Sequence, residues 1–275
     1  MSETSIHPTA FVERGASLGS GVRIGPFCHV GSDVVLHDDV ELIGHVTVTG
    51  ATTLGRGTRV HPTAVLGGPP QSARHKGGRT TLIVGENCLI REGVTMNVGT
   101  DQSRGVTRVG NNGSFFAYTH IAHDCIVGDN VVFANNATLA GHCEVGNFVN
   151  MGGLSAAHQF VRIGDYAFIG GFSGATADVI PYGMVTGPRG KLRGLNVVGM
   201  KRSGLGKSDL MTVRKAYKLI FDASAPVVEN VARLPADLLA HPLVARIVDF
   251  LHTGGKRRFT VPPIGRSADD DDDEG

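Results

Sequence analysis

Histidines crowd into one stretch of this chain: THIAHDC at 119–125 is followed by ANNATLAGHCEVG at 134–146 and SAAHQF at 155–160. Histidine titrates close to neutral pH, at about 6.5 when unperturbed, so it is the side chain a general base needs for taking a proton from a hydroxyl. Acyl transfer also wants an N–H donor where the tetrahedral intermediate grows its negative oxygen, and a glycine lets a backbone N–H approach with no side chain in the way. His123 offers the first function, and Gly141, expected to stack over it, the second. The same residues suit a solvated polar face with Gly141 as a turn, and their spacing leaves both readings open. His-x-x-His at 120 and 123 also has a spacing that a metal could use, with Asp124 as the one acid in a supporting place.

A repeat would position these groups. Aliphatic residues recur at every sixth place from Ile6 through Val12, Leu18, Ile24, Val30, Leu36, Leu42, Val48, Leu54 and Val60 to Leu66. A period of six is neither the 3.6 of a helix nor the 2 of an ordinary strand, and it marks the hexapeptide repeat of a parallel β-helix. The register returns in phase at Val84, Ile90 and Met96, so residues 67–83 must leave the coil and rejoin it. A second excursion near 97–108 shifts the phase by one, and the period then runs from Val109 to Ala175, with the coil expected to stop at Pro181. Gly, Asn and Asp between the aliphatics tolerate the positive φ of tight corners. Three hexapeptides make one coil, so residues 18 apart should stack about 4.8 Å from one another. His123, Gly141 and Gln159 then form one column, and Asp124, His142 and Phe160 the next. Ile121 points inward, which turns His120 outward and puts His123 near a corner. Cys125 and Cys143 should stack in the same way.

Beyond about residue 190 the pattern becomes helical. Residues 208–221, SDLMTVRKAYKLIF, read as a helix with Ser208 as N-cap and Leu210, Val213, Tyr217 and Ile220 on one face, while Pro226 and Pro242 should open two more. The domains expected are a β-helix over 1–190, a helical domain over 191–265 and a disordered tail over 266–275, where Asp269 to Glu274 are six consecutive acids. The chain has 275 residues, 39 of them glycine, no tryptophan and four cysteines without disulfide-framework spacing. With no bilayer-length apolar run and no secretory segment, a cytoplasmic location is expected. Net charge is +1, so the body without the six tail acids carries +7, which suits an acidic partner or a phosphate-bearing substrate. No nucleic acid, integral membrane segment, metal or cofactor is expected. A solenoid with three long faces and no edge-blocking charges tends to bury a face against copies of itself, here as a trimer with clefts between subunits.

At these residues the chain resembles the UDP-N-acetylglucosamine O-acyltransferases that begin lipid A synthesis. HPTAFVERGASLGSGVRIGPFCHVG at 7–31, THIAHDC, ANNATLAGH at 134–142, AAHQF at 156–160 and the helical RKAYKLIF at 214–221 carry the resemblance, which spans nearly the whole sequence. The helical segment discriminates, because hexapeptide coils serve many acyltransferases. The resemblance implies a left-handed coil and a homotrimer with sites between subunits. It makes His123 the base that takes the proton from the sugar 3-hydroxyl, whose oxygen attacks the thioester of a β-hydroxyacyl group on acyl carrier protein. Asp124 would orient His123, and the Gly141 N–H would stabilise the oxyanion. His120, His142, His158 and Gln159 would line the sugar-nucleotide and acyl site, Asn196 and Arg202 would contact the nucleotide, and Gly171 would leave room for a longer acyl chain.

Departures from the family pattern bear on the acceptor. Asn97 stands where many members have a histidine and Ser72, two residues before Arg74 in the excursion loop, where they have an aspartate. Ser203 replaces a common arginine and Arg189 a histidine. Relatives altered at the first position include some that acylate a 3-amino sugar, so an amide product is the main alternative. A non-catalytic scaffold and a metal-dependent hydratase are the others. A related N-acyltransferase usually carries an extra N-terminal uridine-binding domain, whereas the repeat here begins at Ile6.

Overall fold

The computed structural model describes residues 3–255 and 257–263, and the acidic run Asp269 to Glu274 lies outside them. Every hexapeptide contributes one short strand, and each strand pairs in parallel with the strand one full coil away: Ile6 with Ile24, Ile24 with Leu42, Val12 with Val30, Leu18 with Leu36. The result is a three-sided left-handed β-helix whose faces are sheets of 11, 9 and 8 strands, called faces 1, 2 and 3 below. Both excursions are absorbed without loss of register, since Leu66 pairs with Met96 and Met96 with Ile121. The loops span 69–80 and 98–105.

The expected hexapeptide column points to the axis and is almost wholly buried from Ile24 to Ile169, and a second column of smaller side chains two places earlier, Val22, Cys28, Val34, Val40 and Val46 among them, is buried as fully. Ile6 is 46% exposed because the first coil has no rung beneath it. Burial of these columns stabilises the coil by roughly 25 cal/mol per Å² of apolar surface. Corners take positive φ, as expected, but many of the residues there are bulky: Phe27, Tyr118, Leu154, Phe160 and Phe172 all lie between 54° and 67°. Such a conformation is uncommon for large side chains. Neighbouring rungs offset part of the strain by stacking corner rings, as His142 on Phe160 at 4.4 Å and Phe148 on Tyr166 at 4.6 Å.

The coil does not end at Pro181. Gly183–Thr186 adds a parallel strand to face 1 and Lys191–Leu195 returns antiparallel to it, inside the stretch expected to be helical. Pro181 sits at a corner before that strand, where no ladder N–H is needed. Among the described residues five helices follow: α1 Val197–Arg202, α2 Lys207–Ile220, α3 Val227–Ala232, α4 Ala236–Leu239 and α5 Pro242–Thr253. α2 begins before Ser208. Gly206 is its N-cap, and the Asp209 carboxylate accepts from the Gly206 N–H at 3.3 Å, so an acid in the first turn supplies the cap contact expected of Ser208. Pro226 is the residue before α3, and Pro242 opens α5. α5 is tied back to the coil by Arg162, whose guanidinium bonds Asp178 at 2.7 Å, the Phe250 carbonyl at 3.0 Å and Thr253 at 3.0 Å. Among the described residues no helix is long and apolar enough to cross a membrane.

Candidate active site

The corner between faces 2 and 3 gathers the histidine cluster. Strand His120–Ile121 lies on face 2 and Ile126–Val127 on face 3, and the chain turns between them at residues 122–125. The predicted columns form: the His142 N–H bonds the His123 carbonyl at 3.0 Å, and the Phe160 N–H bonds the Gly141 carbonyl at 3.1 Å. His123 Nδ1 lies 2.9 Å from Asp124 Oδ2, and both side chains are buried. A carboxylate only accepts, so the proton of this bond sits on Nδ1 and the lone pair is left on Nε2. Gly141 is adjacent to that ring. A Cβ there would meet His123 Cε1 at 2.6 Å and Nε2 at 2.8 Å, so only glycine permits the packing.

Asp124 is a fully buried carboxylate held by the second excursion loop. Its oxygens accept from the Thr100 N–H at 3.1 and 3.2 Å and from the Thr100 hydroxyl at 2.7 Å, while the Thr107 hydroxyl takes its backbone N–H at 2.8 Å. Arg104 donates to its carbonyl at 3.0 Å and pairs with Glu144. Burial pushes the Asp124 carboxyl up, but the Thr100 and His123 hydrogen bonds together hold it below the usual carboxylate value. His142 lies 3.3 Å from the Ser103 hydroxyl, edge-on to the His123 ring at 5.0 Å between centroids, and burial lowers its pKa. Thr100, Ser103 and Arg104 were not among the residues singled out from sequence. Their signal was the one-residue phase shift at 97–108, immediately ahead of the histidine coil.

His120 projects from face 2, as alternation requires, with Nδ1 2.7 Å from the Thr95 hydroxyl, and burial lowers its pKa as well. A histidine whose folded pKa lies below its unfolded value of about 6.5 stabilises the fold fully above that pH, and the contribution is lost as pH falls. The thermal midpoint is therefore expected to drop between pH 7.5 and 5, and His120→Gln should make the drop smaller. An equal drop in wild type and variant, read by circular dichroism, would exclude a part for His120.

The remaining expected residues divide among three places. Asn97 ends the face 2 strand one coil below His120. Its amide donates to the Pro69 carbonyl at 3.0 Å, and its buried Oδ1 has no partner among the described residues. Ser72 and Arg74 lie in the first excursion loop, which is pinned to the second: Gln102 bonds the Arg74 carbonyl at 2.8 Å, and Asp101 accepts the N–H groups of Lys76 and Gly78 at 3.1 Å each. His158 and Gln159 are exposed on the next rung of the histidine corner. Gly171 is exposed at a different corner, between faces 1 and 2. Asn196 and Arg202 lie elsewhere again, against the corner between faces 3 and 1. Asn196 caps α1 and bonds the Tyr166 carbonyl at 2.8 Å, and both residues line a cavity of about 540 Å³ with Phe148 and Tyr166. One chain thus brings His120, His123, Asp124, Gly141, His142 and the excursion loops together, and leaves Gly171, Asn196 and Arg202 on other corners.

Among the described residues, His123, Asp124 and His142 form a group whose ligating atoms lie within 4.8 Å of one another. The donor set fits a proton relay better than a cation. Asp124 Oδ2 already accepts from Thr100 and His123, and the Arg104 guanidinium contacts the same residue's carbonyl. A dication would have to displace those donors beside a fixed positive charge.

The family profile described as UDP-N-acetylglucosamine O-acyltransferase, domain 2, matches residues 178–260. The acyl-[acyl-carrier-protein]–UDP-N-acetylglucosamine O-acyltransferase of Mesorhizobium japonicum is 59% identical, over 99% of this chain and 98% of its own length. That of Brucella ovis is 49% identical over 99% of this chain and 100% of its own. Among solved structures, LpxA from Acinetobacter baumannii aligns with a TM-score of 0.89 at 36% identity, covering 94% of this chain and 99% of that one. The UDP-N-acetylglucosamine acyltransferase of Campylobacter jejuni aligns at 0.87 with 35% identity, covering 95% and 100%. An identity of 59% over 99% of the chain makes this protein a member of the UDP-N-acetylglucosamine O-acyltransferase family.

Proposed function

We propose that this enzyme transfers a β-hydroxyacyl group from acyl carrier protein to the 3-hydroxyl of UDP-N-acetylglucosamine, the first step of lipid A synthesis, in the cytoplasm. The observation that carries the reading is the buried His123–Asp124 pair, with its free imidazole nitrogen against Gly141. In this mechanism Nε2 takes the proton of the 3-hydroxyl as its oxygen attacks the thioester carbon. The Gly141 N–H steadies the oxyanion, and collapse breaks the C–S bond and expels the carrier thiolate, which takes the proton back from His123. A thioester is already activated, so no covalent enzyme intermediate is required. An oxyanion donor contributes about 2.7–4 kcal/mol. The relatives' names specify O-acyl transfer, which favours the hydroxyl acceptor over the 3-amino sugar.

His120, His142, His158, Gln159, Asn97, Ser72 and Arg74 would line the sugar and acyl end. Asn196 and Arg202 would hold the nucleotide, with Arg202 on a diphosphate oxygen. Gly171, where an added Cβ would come no closer than 3.4 Å to another atom, would leave the acyl groove open. Since these groups occupy different corners, a site using all of them needs adjacent subunits of a homotrimer. Self-association is also favoured by the exposed column Phe27, Tyr118, Leu154 and Phe172 along one corner, each more than half exposed. An acidic carrier would find complementary charge at a cavity of about 330 Å³ lined by Arg193, Arg214, Lys215 and Lys218.

The test is acyl transfer from β-hydroxyacyl carrier protein to UDP-N-acetylglucosamine and to its 3-amino analogue, with products read by mass. An ester product that forms faster than the amide, with a KM for the carrier that rises with salt, is the expected result. Preferential amide formation would reassign the acceptor, and no product from either would overturn the reading.

A further inference from the structure

One residue of the second excursion loop grips the Asp124 carboxylate on both of its oxygens. Thr100 reaches both carboxylate oxygens, its N–H lying 3.1 Å from Oδ1 and 3.2 Å from Oδ2 and its hydroxyl 2.7 Å from Oδ2. That same Oδ2 receives His123 Nδ1 at 2.9 Å, so the Thr100 hydroxyl and the catalytic imidazole share one oxygen atom. Thr100 is itself well fixed. It is only 5% exposed, and its carbonyl accepts the N–H groups of Ser103 at 3.3 Å and Gly105 at 3.1 Å, closing the loop into a compact turn. Asp124 takes a backbone φ of 60°, a conformation it shares with the neighbouring corner residue His142. The corner alone leaves an aspartate side chain several rotamers, and the Thr100 clamp selects the one that meets His123.

We infer that Thr100 is a positioning residue for acyl transfer: its hydroxyl and N–H fix the Asp124 carboxylate so that His123 keeps its proton on Nδ1 and presents Nε2 beside Gly141. The inference rests on the assignment of His123 and Asp124 as the catalytic pair. Thr100 acts through Asp124, and its place in the second excursion loop gives that loop a purpose beyond connecting two rungs. The loop supplies the outer hydrogen bonds of a buried carboxylate that its own coil does not provide. Small losses of alignment of a catalytic base are costly, because a displacement of about 1 Å can lower a rate by two orders of magnitude.

Thr100→Val removes the hydroxyl at nearly constant shape, and Thr100→Ser restores it without the methyl group. Expected for the valine variant is a kcat lower by about tenfold or more, with the KM for the sugar nucleotide within about twofold. With one donor gone from the carboxylate, protonation of the His123–Asp124 pair becomes easier whichever partner carries the proton. The acid limb of the kcat profile should therefore move to higher pH. Thr100→Ser should recover most of the rate and the original limb. Thr100→Ala carries the same test should valine not be accommodated, with folding of each variant followed by circular dichroism. A folded variant lacking the hydroxyl, with wild-type kcat and an unmoved acid limb, overturns the inference; so does a serine variant as slow as the valine one, since the methyl and not the hydroxyl would then matter. His123→Ala in the same assay separates the two levels. If it is slow while Thr100→Val is not, only the role of Thr100 fails; if it is fully active, the base assignment underneath has failed.

Discussion

His123→Ala is expected to lower kcat at least 10²-fold while the KM for the sugar nucleotide changes little, since general-base catalysis typically contributes about 10² to 10⁴ in rate. The geometry explains why the loss should fall on the chemical step. His123 is buried, hydrogen-bonds the Asp124 side chain, and its ring lies against Gly141 and edge-on to His142. Removing it leaves Asp124 satisfied by Thr100, so the coil keeps its hydrogen bonds and its axial aliphatic column. Asp124→Asn should act through the other half of the pair. An amide can donate as well as accept, so the tautomer with the free Nε2 is no longer enforced, and kcat should fall by a comparable order. The measurement is steady-state kinetics on variants whose melting is close to wild type. A folded His123→Ala protein with near-full turnover would sink the assignment and return the histidine corner to a polar surface.

How much of this could be read beforehand follows from which forces act locally. The hexapeptide period states which side chain faces the axis, and with three strands to a coil it is enough to place His123 over Gly141 and His142 over Phe160. Contacts that cross between coils at unequal spacing were not legible. Thr100 reaches Asp124, and Arg104 reaches Glu144, because the excursion loop folds back over the next coil, and no period describes an excursion. The cap of α2 was misplaced for a related reason: Ser208 has the right residue type, but the chain enters the helix through the extended backbone of Gly206, and Asp209 is then in reach of its N–H. The strand at Lys191–Leu195 falls inside the region whose sequence pattern is helical, because a single hairpin strand closing the last coil has no repeat to announce it. Aromatic residues at positive φ were likewise unexpected, since local preference argues for Gly, Asn or Asp there, and stacking between rungs is a tertiary effect.

Mixed oligomers of two inactive variants are expected to regain activity. His123 lies at the corner between faces 2 and 3, whereas Arg202 and Asn196 lie against the corner between faces 3 and 1, in a cavity that His123 does not line. If the sugar end of a substrate meets His123 while its diphosphate meets Arg202, the two residues must come from neighbouring subunits of the proposed trimer. His123→Ala and Arg202→Ala each then abolish every site of their own homotrimer. In trimers assembled at random from equal amounts of both chains, a site is intact when the subunit giving His123 is the arginine variant and its neighbour giving Arg202 is the histidine variant, which occurs in about one quarter of sites. Co-expression of the two chains, or unfolding and joint refolding, should thus raise activity from near zero to about a quarter of wild type. The two variants mixed as intact oligomers should stay inactive until subunits exchange. A site built within one chain gives the opposite result, because every subunit then carries a defect and no arrangement of neighbours can repair it.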